Sequence, residues 1–170
     1  MIRNLGSKKP EIHPTAFVSE FAYIIGDVSI GENSSIWPGT VIRADQGKIV
    51  IGKNTNIQDN SVVHGDADVV IEDNVTIGHR VMCHAAFVGR LSLIGNGSIL
   101  NDGVHVGNNS IVGSGSMVVE NMHIPEGSIV MGMPARIKGK VKDRHITMQS
   151  EISSIYKLKA EKYKSQGNLE

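Results

Sequence analysis

The sequence has one cysteine, few aromatic residues and no excess of charge, and each shortage excludes a class of protein. Cys83 is the only cysteine, so a disulfide framework cannot form and a reducing compartment is expected. Lys plus Arg and Asp plus Glu both number 17, which removes the basic surface that a nucleic acid or an anionic membrane requires. Aromatic residues make up 4% of the chain, too few for a core built on aromatic packing.

Long apolar runs are also missing. No run approaches the roughly 18 residues of a membrane helix, and the first residues lack the apolar core of a secretory signal. Hydrophobic residues still make up 40% of the chain, which is too many for a disordered protein. We therefore expect a soluble cytoplasmic protein with no membrane partner and no nucleic-acid partner.

An aliphatic or similarly small apolar residue recurs at every sixth position, with short insertions between runs. The members are Val18, Ile24, Ile30, Ile36, Ile42, Ile51, Ile57, Val63, Ile71, Ile77, Cys83, Ile94, Leu100, Val106, Val112, Val118, Ile124 and Val130. A period of six does not match a helix, but it suits short strands joined by tight turns and stacked as a solenoid. A glycine-rich antiparallel sandwich is the alternative, and it does not explain so long a repeat in register.

The repeat ends near Ile137, and a different pattern follows. An amphipathic helix is predicted over 143–164, because its apolar and amphipathic residues fall at helical spacing, at Met148, Ile152, Ile155, Tyr156, Lys159 and Tyr163. The predicted organisation is all-β, with a hexapeptide-repeat solenoid over 12–137 and a C-terminal packing helix. The apolar stripe of that helix is expected to lie against the solenoid or a neighbouring chain.

Three of the seven histidines are predicted to form a metal site. His64 follows the inward Val63, and His84 follows the inward Cys83 three hexads later, so the two imidazoles stack one coil apart. His79 falls on another edge of the solenoid. It could reach a metal ion held by His64 and His84 of its own chain only if the chain bends between 79 and 84, and it could reach the ion of a neighbouring chain more easily. Three imidazoles with one open position are typical of catalytic zinc, although Fe²⁺ or Co²⁺ accepts the same ligands.

Further polar residues share the hexad phase of these histidines. Arg43 precedes His64 by one coil, Asp45 lies two residues further on the same side of the strand, and Gln58 occupies the hexad before His64. The alternative is that the three histidines are surface residues with no shared role. The other histidines fall outside this constellation, and His105 is expected to be an exposed corner residue.

These motifs resemble the γ-class carbonic anhydrases, a family of hexapeptide-repeat, left-handed parallel β-helix proteins. The resemblance extends over essentially the whole chain. The matching segments are Ile42-Arg43-Ala44-Asp45, Asn56-Ile57-Gln58-Asp59-Asn60, Val63-His64, Ile77-Gly78-His79, His84 and Val130-Met131-Gly132-Met133-Pro134-Ala135-Arg136.

The resemblance implies a homotrimer with three zinc sites between subunits. In that family, the histidines that match His64 and His84 come from one chain, and the histidine that matches His79 comes from its neighbour. This arrangement agrees with the reach of His79 estimated from its spacing.

The resemblance also implies the reaction and its catalytic residues. Arg43 and Asp45 would form an intersubunit salt bridge, and Gln58 would orient the metal-bound water. A three-histidine zinc lowers the pKa of its water towards about 7, and the resulting hydroxide would convert carbon dioxide reversibly to bicarbonate. The expected activity is therefore that of a zinc-dependent lyase.

The chain departs from the family pattern where a proton must leave the site. The archetype has an acidic loop with a glutamate after its first ligand, whereas this chain has Gly65-Asp66-Ala67-Asp68. Asp66 or Asp68 could replace the glutamate, but turn roles explain them better. Two alternatives to the anhydrase therefore stay open. One is an acyl-CoA-dependent acyltransferase on the same solenoid, and the other is a metal-binding trimer without hydratase activity.

Overall fold

The computed structural model describes residues 1–166 as a parallel β-solenoid of about seven coils with one C-terminal helix. This is the left-handed β-helix of hexapeptide repeats, so the predicted fold class is confirmed. The elements are β1 (Ile2–Arg3), β2 (Glu11–Ile12), β3 (Phe17–Val18), β4 (Tyr23–Ile30), β5 (Ser35–Ile36), β6 (Val41–Ile51), β7 (Asn56–Ile57), β8 (Val62–His64), β9 (Val69–Ile71), β10 (Thr76–Ile77), β11 (Met82–Cys83), β12 (Phe87–Val88), β13 (Leu93–Ile94), β14 (Ile99–Leu100), β15 (His105–Val106), β16 (Ile111–Val112), β17 (Met117–Val118), β18 (His123–Ile124), β19 (Ser128–Gly132), β20 (Ala135–Lys140) and α1 (Asp143–Gln166).

The strands form three faces, which we name by their position. The helix face contains β3, β5, β7, β10, β13, β16 and β19 in parallel, with β20 added antiparallel at its end. The front face contains β8, β11, β14 and β17, and the back face contains β9, β12, β15 and β18. The long strands β4 and β6 pass round the edge between front and back, so these two faces form one sheet.

The repeating aliphatic residues of the sequence fill the core. Ile42, Val63, Cys83 and Leu100 pair in consecutive coils of the front face, and all four are completely buried. Burial raises the pKa of the Cys83 thiol to about 11, so this cysteine is a protonated core residue. Its neighbours on either side along the strand point outward, because side chains alternate between the two sides of a strand.

Small hydroxyl residues four positions after the aliphatic ones connect the coils. Ser34 Oγ donates to the Gly52 carbonyl, and Thr55 Oγ1 donates to the Glu72 carbonyl, both at 2.6 Å. These hydroxyls are inside the solenoid, where an unpaired carbonyl would be costly. A serine or threonine therefore suits this position better than a small apolar residue.

Helix α1 packs on the helix face through Tyr156 of the predicted stripe and through polar side chains that were not predicted. It begins at Asp143, as predicted, and ends two residues later than the predicted position 164. Part of the expected apolar stripe is outside, and Ile155 is 48% exposed, whereas the rings of Tyr156 and Tyr163 pack against Trp37. The side chains that α1 buries are Gln149, Ser153 and Ala160.

No helix within residues 1–166 is long and apolar enough to span a membrane.

Hydrogen bonds explain why polar residues of α1 point inward. Gln149 Nε2 donates to the carbonyls of Leu91 and Ser110 at 2.7 and 3.2 Å, and Ser153 Oγ donates to the Asn54 carbonyl at 2.8 Å. Carbonyls under the helix have lost contact with water and need donors. The apolar spacing of the tail could not reveal this requirement, because it arises from the turns of the solenoid.

His105 does not lie at an exposed corner, so that prediction was wrong. It begins β15 on the back face and is half-buried between the rings of Phe87 and His123, each 4.4 Å away between centroids. Burial, and then the nearby charge of His123, lower the pKa of His105. The error arose because His105 belongs to the strand of the next inward residue, Val106, and not to the preceding turn.

The outer side of the front face is a continuous apolar ladder, which we call the front ladder. Its members occupy paired positions in consecutive coils, and Met82 near the middle is 42% exposed. The other members are half-buried, and a continuous apolar row on an outer face is typical of an interface. The front ladder consists of Tyr23, Val41, Val62, Met82, Ile99 and Met117.

We expect the substitution Met82→Glu to prevent self-association, because it would place a charge in the middle of an apolar contact. For the homotrimer that the family resemblance implies, sedimentation should give about 55 kDa for the wild type and the 18.3 kDa of one chain for the variant. Val70→Glu, which makes the same change on the outer side of the back face, should remain trimeric. A trimeric Met82→Glu variant would contradict a role for the front ladder in assembly.

Candidate metal centre

Four of the six predicted site residues lie at the edge between the front and back faces. Arg43 pairs with His64 across β6 and β8, and His84 follows directly after β11 in the next coil. Asp45 lies where β6 turns round this edge. Parallel pairing of the coils therefore brings these four residues together.

The rings of His64 and His84 face each other through one nitrogen each. His64 Nδ1 lies 2.8 Å from His84 Nε2, while His64 Nε2 is 2.9 Å from Asp45 Oδ1 and His84 Nδ1 is 2.6 Å from Asp102 Oδ1. A carboxylate accepts a hydrogen bond and cannot donate one, so in neutral rings the outer nitrogens carry the protons and the facing nitrogens carry lone pairs. Two lone pairs at this distance repel each other unless a proton or a metal ion lies between them. The donor set therefore fits a metal ion.

Asp45 is an anion with several donors around it. The hydrogen bond from His64 lowers the pKa of Asp45, and the positive charge of Arg43 lowers it further. Arg43 forms an ion pair with Asp45 of the same chain, whereas the family resemblance implied a partner in the neighbouring chain. Lys8 Nζ donates to the carbonyls of Asp45 and Gln46 at 2.8 and 2.7 Å, which fixes the turn that positions Asp45.

Asp102 is a site residue that the sequence analysis missed. It lies in the turn after β14, one coil beyond His84, and its carboxylate orients that ring as Asp45 orients the ring of His64. The only signal in the sequence was its place two residues after the inward Leu100. Hexad counting predicts the column of a residue, but it does not predict which turn side chain bends back towards the previous coil.

Gln58 and His79 lie at the opposite edge of the front face, in the turns that follow β7 and β10. His79 Nδ1 is 3.0 Å from Asp59 Oδ2, and His79 Nε2 is 3.4 Å from the Tyr156 hydroxyl oxygen. Gln58 is only 4% exposed, and its Nε2 donates to Asn56 Oδ1 at 2.9 Å. The six predicted residues therefore form two groups, one at each edge of the front face.

Tyr156 was predicted only as a packing residue of the helix. Its ring packs against Trp37 with centroids 5.4 Å apart, and this contact places the hydroxyl beside His79. Burial, followed by the negative charge of Asp59, raises the pKa of Tyr156, so the phenol is protonated at neutral pH. Helix α1 thus contributes a hydrogen-bonding group to the His79 edge.

The clearest cluster of metal-ligating atoms within one chain does not include His79. It consists of His64, His84 and Asp66, whose ligand atoms lie within 4.8 Å of one another. In residues 1–166 this is the only cluster of three or more such side chains. His79 therefore belongs to no such cluster within the described residues of one chain.

Known proteins show the family of this chain. The profile described as bacterial transferase hexapeptide (six repeats) matches residues 9–44. The chain is 45% identical over 167 residues to a protein named carbonic anhydrase from Geobacillus kaustophilus (strain HTA426), covering 97% of this chain and 92% of that protein. The chain belongs to the γ-class carbonic anhydrase-like family of hexapeptide-repeat proteins.

Two further relatives of this γ-class-like chain carry different names. It is 38% identical over 163 residues to gamma carbonic anhydrase 1, mitochondrial, of Arabidopsis thaliana, covering 91% of this chain and 59% of that protein. A solved structure of a hexapeptide transferase family protein from Anaplasma phagocytophilum is 38% identical, with a TM-score of 0.87 over 91% of this chain and 92% of that one. Because the fold occurs under both names, the residues of the site, and not the fold, indicate a function.

We expect Asp102→Leu to lower the zinc affinity of the protein by about 10- to 100-fold, because the His84 ring loses the hydrogen-bond acceptor that orients it. Competition with a chromophoric chelator measures this affinity. Asp102→Asn keeps an oxygen acceptor at the same place, so its loss of affinity should be smaller. Equal zinc affinity in Asp102→Leu and the wild type would show that this carboxylate does not support the ligand.

Proposed function

We propose that the chain forms a homotrimer with metal sites between subunits and catalyses the reversible hydration of carbon dioxide to bicarbonate. One observation supports this proposal: the site residues form two groups, which lie at opposite edges of one apolar face. If three front faces surround a threefold axis, the His79 edge of one chain lies beside the His64–His84 edge of the next. The 45% identity to a named carbonic anhydrase adds support.

The imidazoles supply the ligands of the proposed centre. His64 Nδ1 and His84 Nε2 would come from one chain and His79 Nε2 from its neighbour, and each ring has a carboxylate on its other nitrogen. Three imidazoles leave one position open, as in catalytic zinc sites, and Fe²⁺ or Co²⁺ accepts the same donors. When bound, such an ion acidifies a coordinated water, so that a nucleophile is available at neutral pH.

Gln58 is the residue we propose for orienting the reacting water. Asn56 Nδ2 donates to Thr76 Oγ1 at 2.9 Å, and Asn56 Oδ1 accepts from Gln58 Nε2. This chain of hydrogen bonds fixes the Gln58 amide and leaves its Oε1 to accept a hydrogen bond from water. Burial of all three side chains limits their motion, so the acceptor is held in place before substrate arrives.

Arg43 and Asp45 have a positioning role in this proposal. The anionic Asp45 accepts a hydrogen bond from the proton-bearing nitrogen of His64, which keeps the opposite nitrogen available for a metal. Arg43 balances the charge of Asp45, so the carboxylate does not add an uncompensated negative charge to the edge. The ion pair is partly exposed, and its contribution to folding stability is therefore small.

An acyl-CoA-dependent acyltransferase is the second candidate, because a solved relative is named as a hexapeptide transferase family protein. Such an enzyme needs one histidine as a general base near an acceptor group. Here three histidines each pair with a carboxylate, and two of them face each other through lone-pair nitrogens. That arrangement suits a metal better than a single base.

Stopped-flow hydration of carbon dioxide, with metal analysis of the same anaerobically purified sample, tests the activity. We expect rapid hydration that falls at least about 100-fold in His84→Ala, because a ligand is lost. His123→Ala on the back face should keep the wild-type rate. One metal per chain without hydration would overturn the anhydrase assignment and favour the metal-binding trimer, and acyl-CoA substrates would be assayed next.

Mixing His79→Ala and His84→Ala chains tests whether the sites lie between subunits. Neither variant alone has a complete three-histidine set, but in an equal mixture of the two chains about one quarter of all interfaces combine an intact pair with an intact His79. Hydration activity should therefore reappear after the chains are unfolded and refolded together. A mixture no more active than its components would show that ligands do not come from two chains.

A further inference from the structure

Asp66 lies beside the histidine pair on a short segment between β8 and β9. Its carboxylate is grouped with the ring nitrogens of His64 and His84 within 4.8 Å, and the residue is exposed. The same corner contains a small cavity lined by Asp66, His84 and Asp102. The outer nitrogens of the imidazoles are already bound by Asp45 and Asp102, so Asp66 approaches a pair whose remaining nitrogens face each other.

The neighbouring acid Asp68 has a different role. Asp68 Oδ1 accepts a hydrogen bond from the Lys48 backbone nitrogen at 2.8 Å, which ties the segment to the preceding coil. Gly47 lies so close to this segment that a Cβ would be 2.2 Å from the Ala67 carbonyl carbon. Asp68 is therefore the turn residue that the sequence analysis favoured. The tight backbone contact holds Asp66 at a fixed place on the edge.

We propose that Asp66 is a metal ligand, so that His64, His84 and Asp66 of one chain hold a divalent ion before a neighbour contributes His79. Two imidazoles and one carboxylate form a ligand set that both zinc and Fe²⁺ accept. The inference rests on the histidine pair of the proposed function, but it does not depend on carbon dioxide hydration. It gives each chain a metal-loading site of its own, which assembly then completes.

Equilibrium dialysis of the full chain with Co²⁺ tests this ligand set. His79→Ala should still bind about one Co²⁺ per chain, because three ligands remain, and Asp66→Ala added to it should weaken binding at least about tenfold. Asp68→Asn in the His79→Ala background is the matched control. It removes the same charge from the same segment but keeps an oxygen that accepts the Lys48 hydrogen bond, so its Co²⁺ affinity should not change.

Either of two results would overturn the proposal. One is that Asp66→Ala has no effect on Co²⁺ affinity in the His79→Ala background. The other is that His79→Ala alone loses Co²⁺ as completely as the double variant does. Hydration activity is not read in this experiment, so a chain that binds Co²⁺ through Asp66 without hydrating carbon dioxide would support the ligand and contradict the anhydrase assignment.

A substitution in the otherwise intact chain tests the same ligand without disturbing His79. Asp66→Cys should give the intense sulfur-to-cobalt charge-transfer band of a thiolate ligand when Co²⁺ is bound. Asp68→Cys should not give this band, and the buried Cys83 is common to both variants. Stoichiometric Co²⁺ binding by Asp66→Cys without the band would show that position 66 does not reach the metal.

Discussion

The hydrogen bonds between successive coils are the constraint on which the rest of the molecule depends. Parallel pairing places each residue beside its counterpart in the next coil, so Val63 lies next to Cys83 and Ile42 next to Val63. The two histidines that follow Val63 and Cys83 are twenty residues apart in the chain, yet their ring nitrogens lie 2.8 Å apart. A shift of one residue in this register would turn the imidazoles into the core and expose the aliphatic residues.

The pairing of charged groups at the two edges of the front face depends on that register. Each of the three histidines has a carboxylate partner, and each partner comes from another coil or another turn of the solenoid. Carboxylates on the outer nitrogens make the facing nitrogens of His64 and His84 electron-rich, and a proton or a metal ion between them relieves their repulsion. The side chains at this edge therefore suit a bound cation, although the chain as a whole carries no net charge.

The period of six predicted much of this structure, and its failures have a common cause. The solenoid, the buried Cys83 and the column of Arg43, His64 and His84 all depend on spacing along the chain, which a sequence displays directly. Asp102 and Tyr156 were missed because their roles depend on which way a turn or helix side chain bends. The inward Gln149 of α1 could not be foreseen either, since the carbonyls that it satisfies belong to turns 39 and 58 residues away.

The serine and threonine hydroxyls inside the solenoid have a consequence for how such a molecule can change in length. Ser34 and Thr55 connect one coil to the next by the same kind of bond, and neither depends on any contact further along the axis. Each coil is therefore a repeatable unit whose stability comes from its two neighbours. Whole coils beyond the one that contains Asp102 could be gained or lost in evolution while the residues of the front edges stayed the same, so the protein's height and its chemistry can vary independently.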